Sequence, residues 1–342
     1  MAGIRINDGS LKEEMKHTNN EQTTPTVSII IPAHNEEATI GKCLASLENL
    51  NYPSDKLEII LINDGSTDST KKISENQRQR LNYKYLETEG VGPSKARNIG
   101  LKEASGEYVA FTDADCVVDK EWLSELLKGF IAEDVAGVGG SQDTPDDATE
   151  FERKFHFFLL SMHFICEYIK KRDKIELVNH VASCNAMYKR EVIEEVGGFD
   201  ERLWPGEDVD LDYKIRHRGY KMAYNPKAIV AHHRPKNLKS FFNMMKRYGW
   251  AQAYLIRKYG FFRKLHYVPF AEVLIFVGWA LTMIYNLYLG VGLVVAVVLG
   301  VVIAFVFRDG LKRGLDNFVI FVITMVGWNV GCGKCLIERR GK

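Results

Sequence analysis

The chain has 342 residues, enough for one large α/β domain or two ordinary domains with a well-buried core. Its 45 basic residues nearly balance its 44 acidic residues, and the formal net charge is +1. This balance argues against nucleic acid as a partner, because a nucleic-acid-binding face needs concentrated positive charge. The six cysteines are scattered along the chain, which favours free thiols in a reducing compartment over a disulfide framework.

The first segment, residues 1–24, is polar, carries charges of both signs and contains no apolar run. Such a segment lacks the apolar centre of a secretory signal peptide, and its composition predicts a disordered tail. We therefore expect the globular part of the chain to remain in the cytosol.

Residues 25–235 alternate β-branched apolar runs with segments of helical periodicity, which predicts an α/β domain. Strands are predicted at residues 27–31, 57–62 and 108–112, and helices at residues 40–50 and from about residue 69. Strands separated by helices favour a largely parallel sheet, whose ligand crevice lies at the carboxyl ends of the strands.

Each predicted strand ends in a polar cluster. The clusters are residues 32–37 (PAHNEE), 63–68 (NDGSTD) and 113–115 (DAD). Although a sequence such as NDGS is common in turns and helix caps, three clusters at one sheet edge are difficult to explain as loop chemistry alone. They predict a binding site at that edge.

Asp113 and Asp115 are the candidate metal ligands. Two carboxylates at this spacing can hold one Mg²⁺ or Mn²⁺ while phosphate oxygens of a ligand fill other positions. An EF-hand is excluded, because Val117 and Val118 stand where that loop needs an oxygen ligand and a glycine. A phosphatase of the haloacid-dehalogenase type is an alternative, since the pattern also fits its nucleophile loop with Asp113 as the nucleophile.

A second acidic cluster lies at residues 204–212 (WPGEDVDLD). Carboxylates at the start of a helix stay ionised, which suits a general base. Ordinary helix capping by acids is the alternative interpretation.

In order along the chain, these motifs resemble family 2 glycosyltransferases with the GT-A fold. The resemblance rests on residues 27–37 (VSIIIPAHNEE), 62–68 (INDGSTD), 92–100 (GPSKARNIG), 113–115 (DAD) and 206–211 (GEDVDL), with support from residues 198–200 (GFD) and 247–249 (RYG). It runs from about residue 27 to residue 249. It implies a Rossmann-like, nucleotide-binding mixed sheet flanked by helices, followed by C-terminal interfacial and transmembrane helices as in succinoglycan-type members that assemble polysaccharides or glycolipids.

The resemblance also implies the nucleotide-binding positions. They are Pro32, His34, Asn35, Glu36, Asp64, Lys95, Arg97 and Asp113. His34 stands where an aromatic ring commonly covers the base, and Asp64 would accept an N–H of the base, which suggests uracil and a UDP-sugar.

By the same resemblance, Asp208 is the catalytic base of an inverting displacement and Glu207 orients the acceptor. Asp113 and Asp115 form the metal-binding pair, for Mg²⁺ or Mn²⁺. His233 supplies a further metal or diphosphate contact, with His232 as the competing choice and a structural histidine as the other alternative.

The sequence departs from processive members of the family. It has no Gln-x-x-Arg-Trp after the Glu-Asp cluster and no predicted spans on both sides of the catalytic domain. We therefore expect transfer of a single sugar. A catalytically inactive membrane scaffold is a further alternative, which the loss of acidic residues would favour, but all the motif acids are present.

The C-terminal third predicts a membrane region. Residues 236–268 mix aromatic residues with cations, as amphipathic helices at the headgroup layer do. Residues 269–342 contain predicted spans at about 270–289 and 292–307, joined by a glycine-containing turn, and a weaker third span at 315–337.

The charges around these spans predict their orientation. Arg308, Lys312 and Arg313 follow the second span and would lie in the cytosol, whereas a full third crossing would place the basic residues at 338–342 outside, against the usual bias. Cys332 and Cys335 form a C-x-x-C, but no second pair lies nearby, and they are interpreted as small residues of a membrane helix.

The sequence thus predicts a multi-pass protein of the cell membrane whose catalytic domain faces the cytoplasm and contacts membrane lipids. It would move one sugar, in a hexosyl-type transfer, to a lipid-linked acceptor. If the acceptor is a polyprenyl-linked saccharide, Asp208 would remove a hydroxyl proton. If it is polyprenyl phosphate, the attacking oxygen is already anionic and Asp208 would only position it.

Overall fold

A computed structural model describes residues 24–78, 83–161 and 173–338. The predicted N-terminal tail, apart from Thr24, lies outside the described residues, as does the basic C-terminal end from residue 339.

The described residues contain one mixed sheet. Its strands are β1 (Val27–Ala33), β2 (Leu57–Asp64), β3 (Lys84–Thr88), β4 (Tyr108–Thr112), β5 (Cys116–Val118), β6 (Val135–Asp143), β7 (Glu176–Val178), β8 (Asn185–Lys189) and β9 (Lys221–His232). The order is β3-β2-β1-β4-β8-β6-β9-β5, and β7 also pairs with β9. The first four strands are parallel, whereas β8 runs antiparallel to both β4 and β6.

The helices flank the sheet and then continue beyond it. They are α1 (Ile40–Glu48), α2 (Thr70–Gln77), α3 (Pro93–Glu103), α4 (Trp122–Lys128), α5 (Glu150–Ser161), α6 (Arg190–Glu195), α7 (Glu207–His217), α8 (Leu238–Tyr259), α9 (Val268–Tyr285), α10 (Leu287–Asp309) and α11 (Leu311–Ile337). The predicted GT-A architecture is confirmed, as a mixed sheet with flanking helices and three apolar C-terminal helices.

The period-2 alternation of β1 explains why the sheet is covered on both faces. Ile29 and Ile31 point to one face, where they join a core that includes Leu44 of α1. Ile30 points to the other face, where it packs with Ala96 of α3. Because both faces are covered, every residue of β1 is buried, as its continuous apolar run predicts.

Strand register brings the polar clusters to one edge. Val27 of β1 is level with Leu57 of β2 and with Tyr108 of β4, so these parallel strands end side by side. The loops that follow them carry the three clusters predicted from the sequence.

Helix α8 lies along the α/β domain instead of leaving it. At its start, the Phe241 ring lies 4.8 Å from the Phe155 ring of α5, measured between centroids. In its second half, Leu255 packs with Leu203 and Val209. At its end, Lys258 Nζ lies 2.5 Å from Asp210 Oδ1 of α7.

Three C-terminal helices are long and apolar enough to cross a membrane: Lys264–Tyr285, Leu287–Asp309 and Leu311–Ile337. The break between the first two falls at Asn286, whose side chain accepts the Leu289 N–H at 3.0 Å, and not at the predicted glycine turn. Gly290 instead lies inside α10, where an added Cβ would come within 2.5 Å of Met283 Sδ on α9.

Helix α11 runs beside α8, and glycines allow their close approach. A Cβ on Gly331 of α11 would lie 1.9 Å from the Lys246 carbonyl oxygen, and one on Gly249 of α8 would lie 2.0 Å from that of Trp328. The hairpin of α9 and α10 differs from α11, since its apolar side chains are mostly exposed.

Candidate active site

A cleft of about 630 Å³ opens at the carboxyl edge of the parallel strands. The three strand-end loops, the start of α7, the end of β9 and one side of α8 enclose it. Of the predicted site residues, those that line it are Pro32, His34, Glu36, Asp64, Arg97, Asp113, Asp115, Glu207, Asp208 and His233, together with the alternative His232.

Asn35 joins the first two loops instead of lining the cleft. Its Oδ1 accepts the Thr67 N–H at 2.8 Å, and its own N–H donates to Ser66 Oγ at 3.0 Å. It adopts a left-handed conformation with φ 57°, which asparagine tolerates better than most residues. Beside it, His34 Nδ1 donates to the Asp64 carbonyl oxygen at 2.6 Å. The loop after β1, which the sequence predicts to bind the nucleotide, is therefore held in place by the loop after β2.

Asp64 is buried at the end of β2 and positions the loop that enters α3. Its Oδ1 accepts from the Val91 N–H at 2.7 Å and from Thr88 Oγ1 at 2.5 Å. Its Oδ2 accepts the Gly92 N–H at 2.8 Å. Since a carboxylate offers about four lone-pair positions, these three contacts leave room for about one further donor from the cleft.

Arg97 of α3 connects two acidic motifs that are far apart in sequence. Its Nη2 lies 2.6 Å from Asp113 Oδ1, and its Nη1 lies 2.9 Å from Glu207 Oε1. The side chain is only 2 % exposed. The guanidinium thus pairs with two carboxylates of the protein. The sequence instead predicts that it lies near the nucleotide and balances the charge of its phosphates.

Lys95 lies on the same helix, but its side chain is exposed and is not among the described residues that line the cleft. The helical spacing explains the difference, because positions two apart on a helix point in different directions. We therefore remove Lys95 from the candidate nucleotide-binding residues.

Asp113, Asp115 and His232 form a candidate metal centre. Each offers a ligand atom, and these atoms lie within 4.8 Å of one another. His232 Nε2 is 3.4 Å from Asp115 Oδ1. Two carboxylates with one imidazole suit Mn²⁺ and can also hold Mg²⁺.

His233, the first choice from the sequence, is directed elsewhere. Its Nδ1 lies 2.9 Å from Glu152 Oε1 on α5, so this neighbour orients the ring. Adjacent residues at the end of a strand point to opposite sides, which is why only one histidine of the pair reaches Asp115. The geometry replaces His233 with His232 as the candidate ligand.

Negative charge is concentrated around this centre. Burial, and then the charge of Asp115, raise the pKa of Glu36 to about 7. A divalent cation would relieve this repulsion. The concentration of negative charge is therefore consistent with a metal ion bound by Asp113, Asp115 and His232.

Asp208 stands in the first turn of α7, with its side chain 19 % exposed. Its Oδ2 is 3.7 Å from His180 Nε2, and His180 Nδ1 is 2.8 Å from Asp212 Oδ2. Burial lowers the pKa of His180, but the charges of Asp208 and Asp212 outweigh burial and the net shift is upward. His180 therefore links Asp208 to Asp212 on the same helix.

His180 was not identified from the sequence, because it follows a strand of only three residues and no motif marks it. The available signal was the spacing of Asp208 and Asp212, which are four residues apart and therefore lie on the same helix face. Glu207, next to Asp208, is buried. Burial, and then the charge of Asp208, raise its pKa to about 7 against the opposing effect of Arg97.

Comparisons with known proteins agree with this geometry. Residues 28–197 match the model described as Glycosyl transferase family 2. Glycosyltransferase AglE of Haloferax volcanii is 33% identical over 214 residues, which cover 61% of this chain and 67% of AglE. The chain belongs to glycosyl transferase family 2.

Two further matches cover most of the chain. The Bacillus subtilis (strain 168) protein named "Probable glycosyltransferase YdaM" is 29% identical over 318 residues, which cover 85% of this chain and 74% of YdaM. The structure of the mannosyltransferase PcManGT from Pyrobaculum calidifontis, in complex with GDP-Man and Mn²⁺, has a TM-score of 0.63 and 21% identity. The match covers 93% of this chain and 89% of the PcManGT chain, and it shows that the two proteins share a fold.

The family assignment establishes this chain as a glycosyltransferase and favours transfer chemistry over the haloacid-dehalogenase alternative. The match to the family model ends at residue 197, before Glu207 and Asp208. The roles of these two residues therefore depend on their geometry in the cleft.

We predict that Arg97→Ala destabilises the fold strongly, because it leaves Asp113 and Glu207 without their shared partner. Breaking a buried ion pair in this way costs about 3–5 kcal/mol of unfolding free energy. Thermal unfolding of the purified protein in detergent measures the effect. Lys95→Ala on the same helix is the matched control and should unfold like the wild type. Equal melting of the two variants would contradict the bridging role.

Proposed function

We propose that this glycosyltransferase inverts configuration and moves one sugar from a nucleotide-sugar, a UDP-sugar being favoured, to a lipid-linked acceptor at the cytoplasmic face of a membrane. The supporting observation is that the metal-site carboxylates and Asp208 line one cleft, with Arg97 bridging Asp113 to Glu207.

The nucleotide end of the cleft supports uracil. Asp64 has capacity for about one more donor, and uracil presents a single imide N–H. Guanine presents two neighbouring donors, the N1–H and the amino group. The buried carboxylate thus matches the smaller hydrogen-bonding demand of uracil.

The leaving group would depart towards Asp113 and Asp115. A divalent metal bound by these residues and His232 would neutralise the developing charge on the diphosphate. The protein's own contribution is to hold the two carboxylates in place, through Arg97 for Asp113 and through His232 for Asp115.

Asp208 would take the proton from an acceptor hydroxyl as the hydroxyl attacks the anomeric carbon. A single displacement of this kind, from the side opposite the leaving group, inverts configuration. Glu207 is held through its Oε1, which accepts from Arg97 and Ser183, while its buried Oε2 has no hydrogen-bond partner among the described residues. It would help to position the acceptor. For a polyprenyl phosphate acceptor, Asp208 would act by position alone.

The wall of the cleft next to the membrane helices supports a lipid-linked acceptor. Met244, Arg247 and Tyr248 of α8 contribute to this wall. The Arg247 guanidinium lies 4.2 Å from the centre of the Trp204 ring, which also lines the cleft. An acceptor held at the membrane surface would enter past this cation and ring, with its lipid against the apolar helices.

We further propose that α9 and α10 form the membrane-crossing hairpin, whereas α11 lies in the plane of the interface. Helix α8 contacts the catalytic domain at both ends, and α11 follows α8 over several turns, from Phe242 and Gly327 to Arg257 and Cys335. A helix that runs alongside the domain does not lead away from it. This arrangement keeps the end of α11 in the cytosol and agrees with the bias of basic residues.

Replacement of Asp208 tests the base assignment. Asp208→Asn should lower kcat for a hydroxyl acceptor by about 10²–10⁴-fold, because general-base catalysis contributes that much. Binding of UDP should be nearly unchanged. Initial rates with membranes and a panel of labelled nucleotide-sugars, with extraction of the lipid product, measure the loss. Glu201→Gln, outside the described cleft lining, serves as the control variant.

Unaltered turnover of Asp208→Asn with a hydroxyl acceptor would remove the base assignment. If the Asp208→Asn variant keeps its turnover with a polyprenyl phosphate acceptor but not with a hydroxyl acceptor, the acceptor class is polyprenyl phosphate.

Calorimetry tests the nucleotide and the metal together. UDP should bind in the presence of Mn²⁺ and bind about tenfold or more tightly than GDP, since one hydrogen bond to a charged group contributes about 1.5–3 kcal/mol. Chelation of the metal should weaken the binding of both nucleotides. Tighter binding of GDP would contradict the assignment of uracil, and the lack of metal-dependent binding of either nucleotide would favour the inactive scaffold.

Reporter fusions test the topology. Green fluorescent protein fused after residue 338 should fluoresce, and alkaline phosphatase fused there should be inactive, because both results require a cytosolic end. The control is the same pair of reporters placed at Asn286, between the two hairpin helices, where the opposite pattern is expected. An active phosphatase after residue 338 would mean that α11 crosses the membrane.

A further inference from the structure

Two buried cysteines lie directly behind the candidate metal centre. Strand β5 pairs with β9 so that Cys116 stands opposite His232, which places both side chains on the same face. Cys184, from the loop before β8, has its Sγ 3.5 Å from His232 Nδ1. The ligand atoms of Cys116, Cys184 and His232 lie within 4.8 Å of one another.

We propose that Cys116, Cys184 and His232 bind Zn²⁺ at a site separate from the Mg²⁺ or Mn²⁺ centre. Two thiolates and one imidazole form a familiar zinc ligand set with an open fourth position. Thiolate sulfur selects Zn²⁺ over Mg²⁺ and Mn²⁺, which prefer oxygen ligands. The two ligand sets share His232, but the thiolates of one set favour Zn²⁺ and the carboxylates of the other favour Mg²⁺ or Mn²⁺.

The site needs little rearrangement and has a route of entry. Zinc bonds of about 2.0–2.3 Å require ligand atoms slightly closer together than the 4.8 Å limit found here. Cys184 lines the cleft, so an ion can reach the thiols from the solvent side. Binding releases the two thiol protons, because the thiolate is the ligand.

The shared histidine couples the two sites. His232 presents Nε2 to Asp115 and Nδ1 to Cys184. A neutral imidazole has one lone pair, so a zinc ion on Nδ1 leaves the proton on Nε2. Nε2 then donates to Asp115 and cannot bind a second metal. Zinc is thus an inhibitor that removes one ligand from the catalytic centre, a consequence that rests on the proposed function, whereas zinc binding itself does not.

Cobalt titration tests the binding without using activity. The full-length protein, reduced and freed of metal in detergent, is titrated with Co²⁺ as a spectroscopic substitute for Zn²⁺. We expect a thiolate-to-cobalt charge-transfer band that saturates at one ion per chain and disappears when Zn²⁺ is added. Cys116→Ser and Cys184→Ser should each lose this band.

Other cysteines of the chain provide the controls. Cys43 is buried close by, with its Sγ donating to the Asp113 carbonyl at 3.5 Å, but among the described residues it belongs to neither ligand group. Cys43→Ser should keep the band, as should a variant in which Cys166, Cys332 and Cys335 are all serine. The absence of the band in the wild type, or its loss only in the triple variant, overturns the proposal.

Activity then tests the coupling. Zn²⁺ should inhibit sugar transfer at fixed Mn²⁺, and excess Mn²⁺ should relieve the inhibition. A cobalt band with no zinc inhibition overturns the competition for His232. If no donor supports transfer at all, the proposed function fails, but the cobalt titration still decides whether the zinc site exists.

Discussion

The buried contact of Arg97 with Asp113 and Glu207 is the interaction on which the site depends. Asp113 follows β4, Glu207 begins α7, and Arg97 lies in α3, so one guanidinium joins three elements that pack on the same sheet. Removing charge from water is costly, and the loss of either carboxylate would leave the buried guanidinium charge less well compensated. The contact therefore sets the separation between the metal-site acids and Asp208.

Helix α8 extends this organisation towards the membrane. Asp210, two residues after Asp208, is completely buried and accepts from Lys258 Nζ at 2.5 Å and Tyr259 Oη at 2.8 Å. Nearby, burial raises the pKa of Asp200, but Arg202 and Lys258 outweigh burial and the net shift is downward. The helix that carries the proposed base is thus held by the helix that supports α11.

Histidine and cysteine side chains around β5 and β9 illustrate what local patterns miss. The motif acids could be recognised because they follow buried strands at a short spacing. The choice between His232 and His233 could not be made, because it depends on which face of β9 each side chain occupies. Cys116 and Cys184 carried no signal, since their partners are distant in sequence, and His180 had only the indirect signal of the spacing between Asp208 and Asp212. The glycine turn expected at Gly290 was wrong for a similar reason: close helix packing requires glycine as much as a turn does.

The sequence alone was sufficient for the parallel strands β1, β2 and β4, the strand-end clusters, the family and the apolar C-terminal region, whereas it did not predict β3. These features depend on local apolar patterning and on ordered motifs, which a linear chain displays directly. The tertiary structure alone decided the mixed remainder of the sheet, where β5 and β7 have three residues each and β6 is rich in glycine. It also decided that Arg97 pairs with two acids, that His232 and not His233 joins Asp115, and that α11 lies beside α8. Each of these depends on contacts between residues far apart in the chain, whose energies no short segment contains.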